Sequence, residues 1–267
     1  MQNSTQPYGV VAKVCGIGTV EAAEAAVLAN ADIIGLIFAT SPRLIDMDTA
    51  KAIAQTVRAH EKDTSTPEIV ATIPSLCTDT EEQLDTAAYF VECANRILQR
   101  RHELGRPLIA GVFQNQDAEH VARIARSVPL DLVQLHGTEP PEMAQLISVP
   151  VIKVFHVDDS FSVDDTNDML RRRCHSLILL DTKVAGTAQQ GGRGVQFDWN
   201  IARALADKGV PFVMAGGLTP DNVEQAVAIG RPWGVDVSSG IETDRTKDPA
   251  KIHAFVRNSK TSLSSTM

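Results

Sequence analysis

Cys15 closes one apolar run and Asp181 closes another, in Leu179-Leu180-Asp181. A thiol and a carboxyl at the ends of buried strands are both groups that can move protons. Each also has a plainer reading. Cys15 alone reads as a small buried hydrophobe; followed by Gly16 and a helix start, it reads as a thiol of lowered pKa, a base or a nucleophile. Asp181 reads either as a cap for loop backbone or as an acid facing an open mouth. Three glycine-rich stretches each follow an apolar run: Gly191-Gly192-Arg193-Gly194, Gly216-Gly217 and Ser238-Ser239-Gly240. Bare backbone there lets several N–H groups point at one anion, so Gly192, Gly194, Gly216, Gly217, Ser238, Ser239 and Gly240 form a candidate phosphate cradle. Arg43, in Ser41-Pro42-Arg43, is either a solvated loop residue or a bidentate grip for a second anionic group. Gln134 and His136 share one face of a strand end, Lys13 shares a face with Cys15, and Asp236 with Ser238. For these a satisfied polar layer and a catalytic role stay open side by side. The spacing of His, Cys and acids suggests no metal site, and no lysine stands where a Schiff base is demanded.

The elements that must position these residues follow from the apolar pattern. Runs rich in Val, Ile and Leu begin near residues 10, 32, 108, 131, 150, 177, 211 and 234. They are near-continuously apolar, as expected of strands buried on both faces. Helical patterns fall between most of them, at 19–29, 48–60, 117–127, 139–147, 198–208, 220–229 and 248–257, with a weaker one at 164–173. Thr219-Pro220-Asp221 and Asp248-Pro249 carry start signals. Eight strands alternating with eight helices predict an α/β fold, a (β/α)8 TIM barrel in a single domain over residues 1–267. One spacing is too long, which locates a helical insertion between the second helix and the third strand, about 61–106; within it 79–104 reads as a long helix decorating the barrel. Residues 258–267, rich in Ser and Thr, read as a frayed tail. In a closed barrel the first and eighth strands are neighbours, so Lys13 and Asp236 are expected to pair below the site, and Cys15 and Asp181 to face each other across the mouth. Asp32 and Asp131 begin strands at the other end and read as structural. A doubly wound fold is the alternative, but Cys15-Gly16-Ile17-Gly18 lacks the third glycine of a dinucleotide fingerprint, position 21 being Glu21.

Composition narrows the partners. The 267 residues are 43% hydrophobic, enough for a sizeable core, and the net charge of −8 argues against nucleic acid or acidic lipid. An anionic ligand must then be held by local donors rather than by a basic surface. The four cysteines, Cys15, Cys77, Cys93 and Cys174, form no CxxC pair and suit a reducing compartment. Residues 1–9 are polar, unlike a signal peptide, and the longest apolar run, 33–39, is too short to span a membrane. A cytoplasmic protein is expected, as monomer or homodimer.

Several stretches together carry a family likeness: Lys13-Val14-Cys15-Gly16, Ser41-Pro42-Arg43, Gly111-Val112-Phe113, Val133-Gln134-Leu135-His136-Gly137, Leu180-Asp181, Gly192-Arg193-Gly194 with Phe197-Asp198-Trp199, Ala215-Gly216-Gly217-Leu218, and Val235-Asp236-Val237-Ser238-Ser239-Gly240. In this order the chain resembles phosphoribosylanthranilate isomerase of tryptophan biosynthesis. The resemblance implies an intramolecular oxidoreductase of the aldose–ketose type. Its reaction is an Amadori rearrangement of N-(5-phosphoribosyl)anthranilate to 1-(2-carboxyphenylamino)-1-deoxyribulose 5-phosphate, the third step from chorismate. It further implies Asp181 as general acid, Cys15 as general base, Arg43 on the anthranilate carboxylate and the glycine loops on the phosphate, with no cofactor or metal. Arg193, where Ser or Thr is more common, and the insertion, more like fungal forms, depart from the pattern. The related histidine-pathway isomerase has an aspartate where this chain has Cys15 and lacks an equivalent of Arg43. The next synthase of the tryptophan pathway relies on a catalytic lysine. A non-catalytic phosphosugar-binding barrel is the rival from another class.

Overall fold

A computed structural model describes residues 9–62, 85–157, 169–182 and 199–261. Eight parallel strands, β1 (Val11–Cys15), β2 (Ile33–Ile37), β3 (Leu108–Phe113), β4 (Leu132–Leu135), β5 (Val151–Val157), β6 (Leu177–Thr182), β7 (Phe212–Met214) and β8 (Gly234–Val237), pair in sequence order. β8 pairs back onto β1, so the sheet closes. The eight apolar runs therefore do form the barrel that their spacing predicts. Alternate residues point in and out, which gives two cores. Residues such as Val14, Ile34, Ile109, Val133 and Ile178 face the surrounding helices. Val11, Ile33, Leu108, Leu132, Leu177 and Val213 belong to a separate cluster that fills the barrel itself.

The helices are α1 (Val20–Leu28), α2 (Met47–Arg58), α3 (Thr86–Leu104), α4 (Ala118–Ser127), α5 (Trp199–Asp207), α6 (Val223–Gly230) and α7 (Pro249–Thr261). Thr19, Asp46, Asp85 and Asp117 cap α1 to α4 by accepting first-turn backbone N–H groups. Asp248 does so for Ala250 and Lys251 at the start of α7.

Five sequence expectations need correction. The pattern at 139–147 is a 3₁₀ turn, Pro141–Leu146; Pro140 and Pro141 remove two donors at its start, and Glu139 turns inward to meet Lys153 at 2.8 Å. α6 starts at Val223 rather than at Pro220, because Thr219 to Asn222 forms a turn of its own closed by the Asn222 carboxamide on the Thr219 N–H. The tail does not fray from 258: α7 continues to Thr261 and Ser259 is fully buried. Of the weak helix at 164–173, residues 169–173 form no helix and the rest lies outside the described residues.

The fifth correction concerns α3. The long helix of the insertion is present, with Gly105 as its left-handed C-cap, but it is no decoration. Ala94, Ile97, Leu98 and Leu104 join the cluster inside the barrel. Arg101 pairs with Asp32 ahead of β2, and the Tyr89 hydroxyl donates to the His175 carbonyl ahead of β6. α3 thus lies across the end where the strands begin and closes it with apolar side chains. Asp32 and Asp131 serve that same end, accepting the backbone N–H groups of Ala12 and Ile109.

One element has no counterpart in the sequence reading. Between β8 and α7 a small hairpin forms from β9 (Glu242–Thr243) and β10 (Thr246–Lys247).

Candidate active site

A cavity of about 570 Å³ opens at the ends of the strands, where parallel α/β barrels place their ligands. Cys15, Arg43, Gln134, His136, Asp181, Gly216, Gly217, Asp236, Ser238 and Ser239 all line it. Gly240 does not; it packs against the Leu218 carbonyl so closely that a Cβ could not fit. Gly192 and Gly194 lie outside the described residues.

The floor is built by register. Lys13 on β1 stands directly opposite Asp236 on β8, and its Nζ reaches Oδ1 at 2.9 Å with no solvent exposure. Burial opposes the Lys13 ammonium, but Asp236 and Cys15 outweigh it and hold its pKa above the ordinary value. Two residues along β1, the Cys15 thiol is buried as well. Burial pushes its pKa up by more than the neighbouring Lys13 pulls it down. The expected lowering by a helix N-terminus fails, because α1 begins only at Val20. Room for the sulfur comes from Gly35 on β2, the register partner of Cys15, where a Cβ would lie 2.7 Å from Sγ. Gly35 went unnoticed in the sequence because nothing local marks it.

Opposite, β6 presents Asp181. Its Oδ1 accepts the Thr182 N–H at 2.8 Å, and its Oδ2 lies 3.4 Å from His136 Nε2. Gln134 Nε2 meets His136 Nδ1 at 3.1 Å, as expected of residues sharing a face. Gln134 Oε1, buried, has no partner among the described residues. His156 is new to the site: it pairs in register with Asp181, and its ring meets that of His136 edge-on at 5.2 Å. Burial and the charge of His136 hold its pKa below the ordinary value. Donor atoms of His136, His156 and Asp181 lie within 4.8 Å of one another, which could admit a divalent metal. They come from three separate stretches of chain, so sequence spacing did not signal them.

Between these walls sits the glycine loop after β7. Gly216 and Gly217 both have positive φ, and a Cβ on Gly216 would strike the Thr182 hydroxyl and backbone. Only glycine serves there.

Arg43 is not idle in the loop after β2. Its Nε and Nη2 grip Glu242 of β9 at 2.6 and 3.0 Å, and Lys247 of β10 meets the same carboxylate at 2.8 Å. Lys247 also donates to the Ser238 carbonyl. The hydrogen bond to Glu242 holds the Arg43 pKa above its ordinary value. Burial works against the Glu242 charge, yet Arg43 and Lys247 outweigh it and keep that acid low.

A closed (β/α)8 barrel with its ionisable groups gathered in one cavity at the strand ends belongs to the class of TIM-barrel proteins with a mouth site. The family profile described as N-(5'-phosphoribosyl)anthranilate (PRA) isomerase matches residues 59–258. An N-(5'-phosphoribosyl)anthranilate isomerase of Dehalococcoides mccartyi is 34% identical over 93% of this chain and 94% of its own length. A multifunctional tryptophan biosynthesis protein of Phycomyces blakesleeanus is 39% identical over 94% of this chain but only 33% of its own. The chain thus spans about a third of that relative. A crystal structure of phosphoribosyl anthranilate isomerase in complex with reduced 1-(o-carboxyphenylamino)-1-deoxyribulose 5-phosphate superposes with a TM-score of 0.64 at 29% identity, covering 94% of this chain and 98% of the other. The chain belongs to the phosphoribosylanthranilate isomerase family.

Proposed function

We propose that this chain catalyses the Amadori rearrangement of N-(5-phosphoribosyl)anthranilate to 1-(2-carboxyphenylamino)-1-deoxyribulose 5-phosphate. The observation that carries the reading is one cavity holding Cys15 on β1 and Asp181 on β6, two strands with only β7 and β8 between them on one side. Such an acid and base flank a substrate held from the β7 and β8 loops. The Gly216 and Gly217 backbone, with Ser238 and Ser239, takes the phosphate. Gly240 keeps the last loop against Leu218.

Asp181 donates its proton to the furanose ring oxygen as the C1–O bond breaks, leaving an iminium on the anthranilate nitrogen. His136 beside it holds the carboxyl in place and Gln134 Oε1 accepts a sugar hydroxyl. Cys15 then removes the C2 proton, and the electron pair flows to the iminium nitrogen. The enolamine so formed tautomerises to the ketose. A thiol raised by burial is a strong base once ionised, and the Lys13–Asp236 pair beneath it sets how readily that happens. Arg43 faces the anthranilate carboxylate. The substrate nitrogen is the electron sink, so no step requires a cofactor. All these groups come from one chain, so a monomer suffices and a homodimer would keep the site intact. A free thiol at Cys15 suits a reducing compartment, and on that ground we place the protein in the cytoplasm.

The test is the decay of anthranilate-type fluorescence when purified protein meets freshly made substrate. Wild type turns it over; Cys15→Ala and Asp181→Asn each lower kcat by roughly a hundredfold or more, the scale of a lost acid or base. Near-normal kcat in either variant removes that residue from its role. No turnover by wild type removes the reaction.

A further inference from the structure

The β9–β10 hairpin contributes Glu242 and Arg245 to the cavity wall. Its turn is one that the sequence disfavours. Thr243 pairs with Thr246, and the two residues between them, Asp244 and Arg245, both have positive φ, 50° and 64°. Positive φ at both centres is the pattern of a type I′ turn, where an acid is tolerated at the first position but glycine is strongly preferred at the second. Any Cβ there crowds the following carbonyl oxygen. Arg231, also at positive φ, is accounted for as the C-cap of α6 with an ion pair to Asp207. Arg245 makes no hydrogen bond or ion pair among the described residues, yet it lines the cavity. A residue that breaks the local rule without a structural partner, at the wall of a ligand cavity, points to the ligand for its reason.

The charges around it say which part of the ligand. Arg43 already gives Nε and Nη2 to Glu242, and Lys247 gives its Nζ to the same acid. An incoming carboxylate therefore finds Arg43 half engaged and a fixed carboxylate beside it that repels. Arg245 is the uncommitted cation on that wall. Its hairpin is tied to Arg43 through Glu242, whereas backbone donors serve the phosphate at the β7 loop. We infer that Arg245 is a second anchor for the substrate's aryl carboxylate, completing a site that Arg43 alone leaves short of positive charge, and that it sets the preference for a carboxylated aryl amine. This rests on the isomerase reading above.

Two ligands isolate the carboxylate: the reduced product, 1-(o-carboxyphenylamino)-1-deoxyribulose 5-phosphate with its ketone reduced, and the same compound made from aniline. Binding of each is measured by titration calorimetry to wild type, Arg245→Met, Arg245→Gly and Arg245→Lys. The expected result is a loss of roughly tenfold in affinity for the carboxylated ligand in the Met and Gly variants, the scale of a lost charge-assisted hydrogen bond. The aniline ligand changes little, and Lys restores part of the loss. Arg245→Gly melts no lower than wild type, because glycine suits the turn, so its loss of affinity is not a loss of fold. In turnover the same variants raise KM rather than lower kcat. Equal losses for both ligands, or none for either, would overturn the inference while leaving the isomerase reading intact. If wild type binds neither ligand, the isomerase reading falls and the inference with it.

Discussion

Lys13 and Asp236 sit on either side of the Cys15 thiol in electrostatic effect, although both are structural partners of each other. The ammonium lowers the thiol pKa and the carboxylate raises it. Removing each should therefore move the base in opposite directions. In Lys13→Met the ascending limb of kcat/KM against pH moves to higher pH, since the thiol loses its stabilising cation; in Asp236→Asn it moves to lower pH. That limb reports the ionisation of the free enzyme's base. Both variants also unfold more easily, Lys13→Met by about 3–5 kcal/mol, because a buried charge is left without its partner. A purely structural pair would show the stability loss without the opposed shifts, and limbs that moved together would exclude the link to Cys15. This pair was legible in the sequence: alternation put Lys13 in line with Cys15 and Asp236 in line with Ser238, and closure made the strands neighbours. The direction of the Cys15 shift was not, because desolvation depends on how tightly Gly35 and its surroundings enclose the sulfur. Nor were Glu242, Lys247 and Arg245. Two-residue strands leave no periodic trace, so nothing in the sequence tied these charges to the site.

At the level of elements, the strands announced themselves because burial on both faces demands an unbroken apolar run, and few other structures do. Helix starts followed wherever an Asp or Thr stood alone before the first turn. They failed at Pro140-Pro141, where two donors are missing, and at Thr219-Pro220, where Asn222 closes a turn of its own, whereas Asp248-Pro249 opens α7 as expected. The length of α3 was readable, yet its place was not: periodicity shows that a helix has an apolar face but never what the face meets. Here it meets both cores, Phe90 and Cys93 in the outer one and Ala94, Ile97 and Leu98 in the inner one. Phe90 is fully buried. Phe90→Ala should thus destabilise the protein by about 3–5 kcal/mol, the range for an emptied aromatic site in a core. Urea denaturation decides this. A loss below about 1 kcal/mol would match an exposed decorative helix instead.

His175 couples these elements into a property of the whole molecule. It lies just ahead of β6, with its ring centroid 5.4 Å from that of Phe90 on α3 and 5.6 Å from that of Phe155 on β5. Its Nε2 hydrogen-bonds the Met169 carbonyl at 2.9 Å, and its Nδ1 has no partner among the described residues. Burial lowers its pKa from 6.5 to about 4. The unfolded chain binds a proton there at a pH where the native chain refuses it, so stability rises with pH between those two values. Above about pH 6.5 the group is neutral in both states and contributes nothing to the slope. As pH falls from 6.5 towards 4, global stability declines by up to roughly 3 kcal/mol from this residue. His156, also held low by burial, acts in the same sense. Glu139 and Glu242 have depressed pKa values, so the stability they contribute is lost only at lower pH, below the ordinary carboxylate range. The windows separate the causes. Urea midpoints of wild type should fall from about pH 6.5 towards 4, while His175→Phe, which keeps the ring's apolar contacts, should show a shallower slope over that interval and the same fall below it. Parallel slopes for the two proteins would place the acid sensitivity elsewhere. A change confined to the α3 signal, with the barrel unaffected, would mean that the helix releases by itself and that the two cores do not unfold as one.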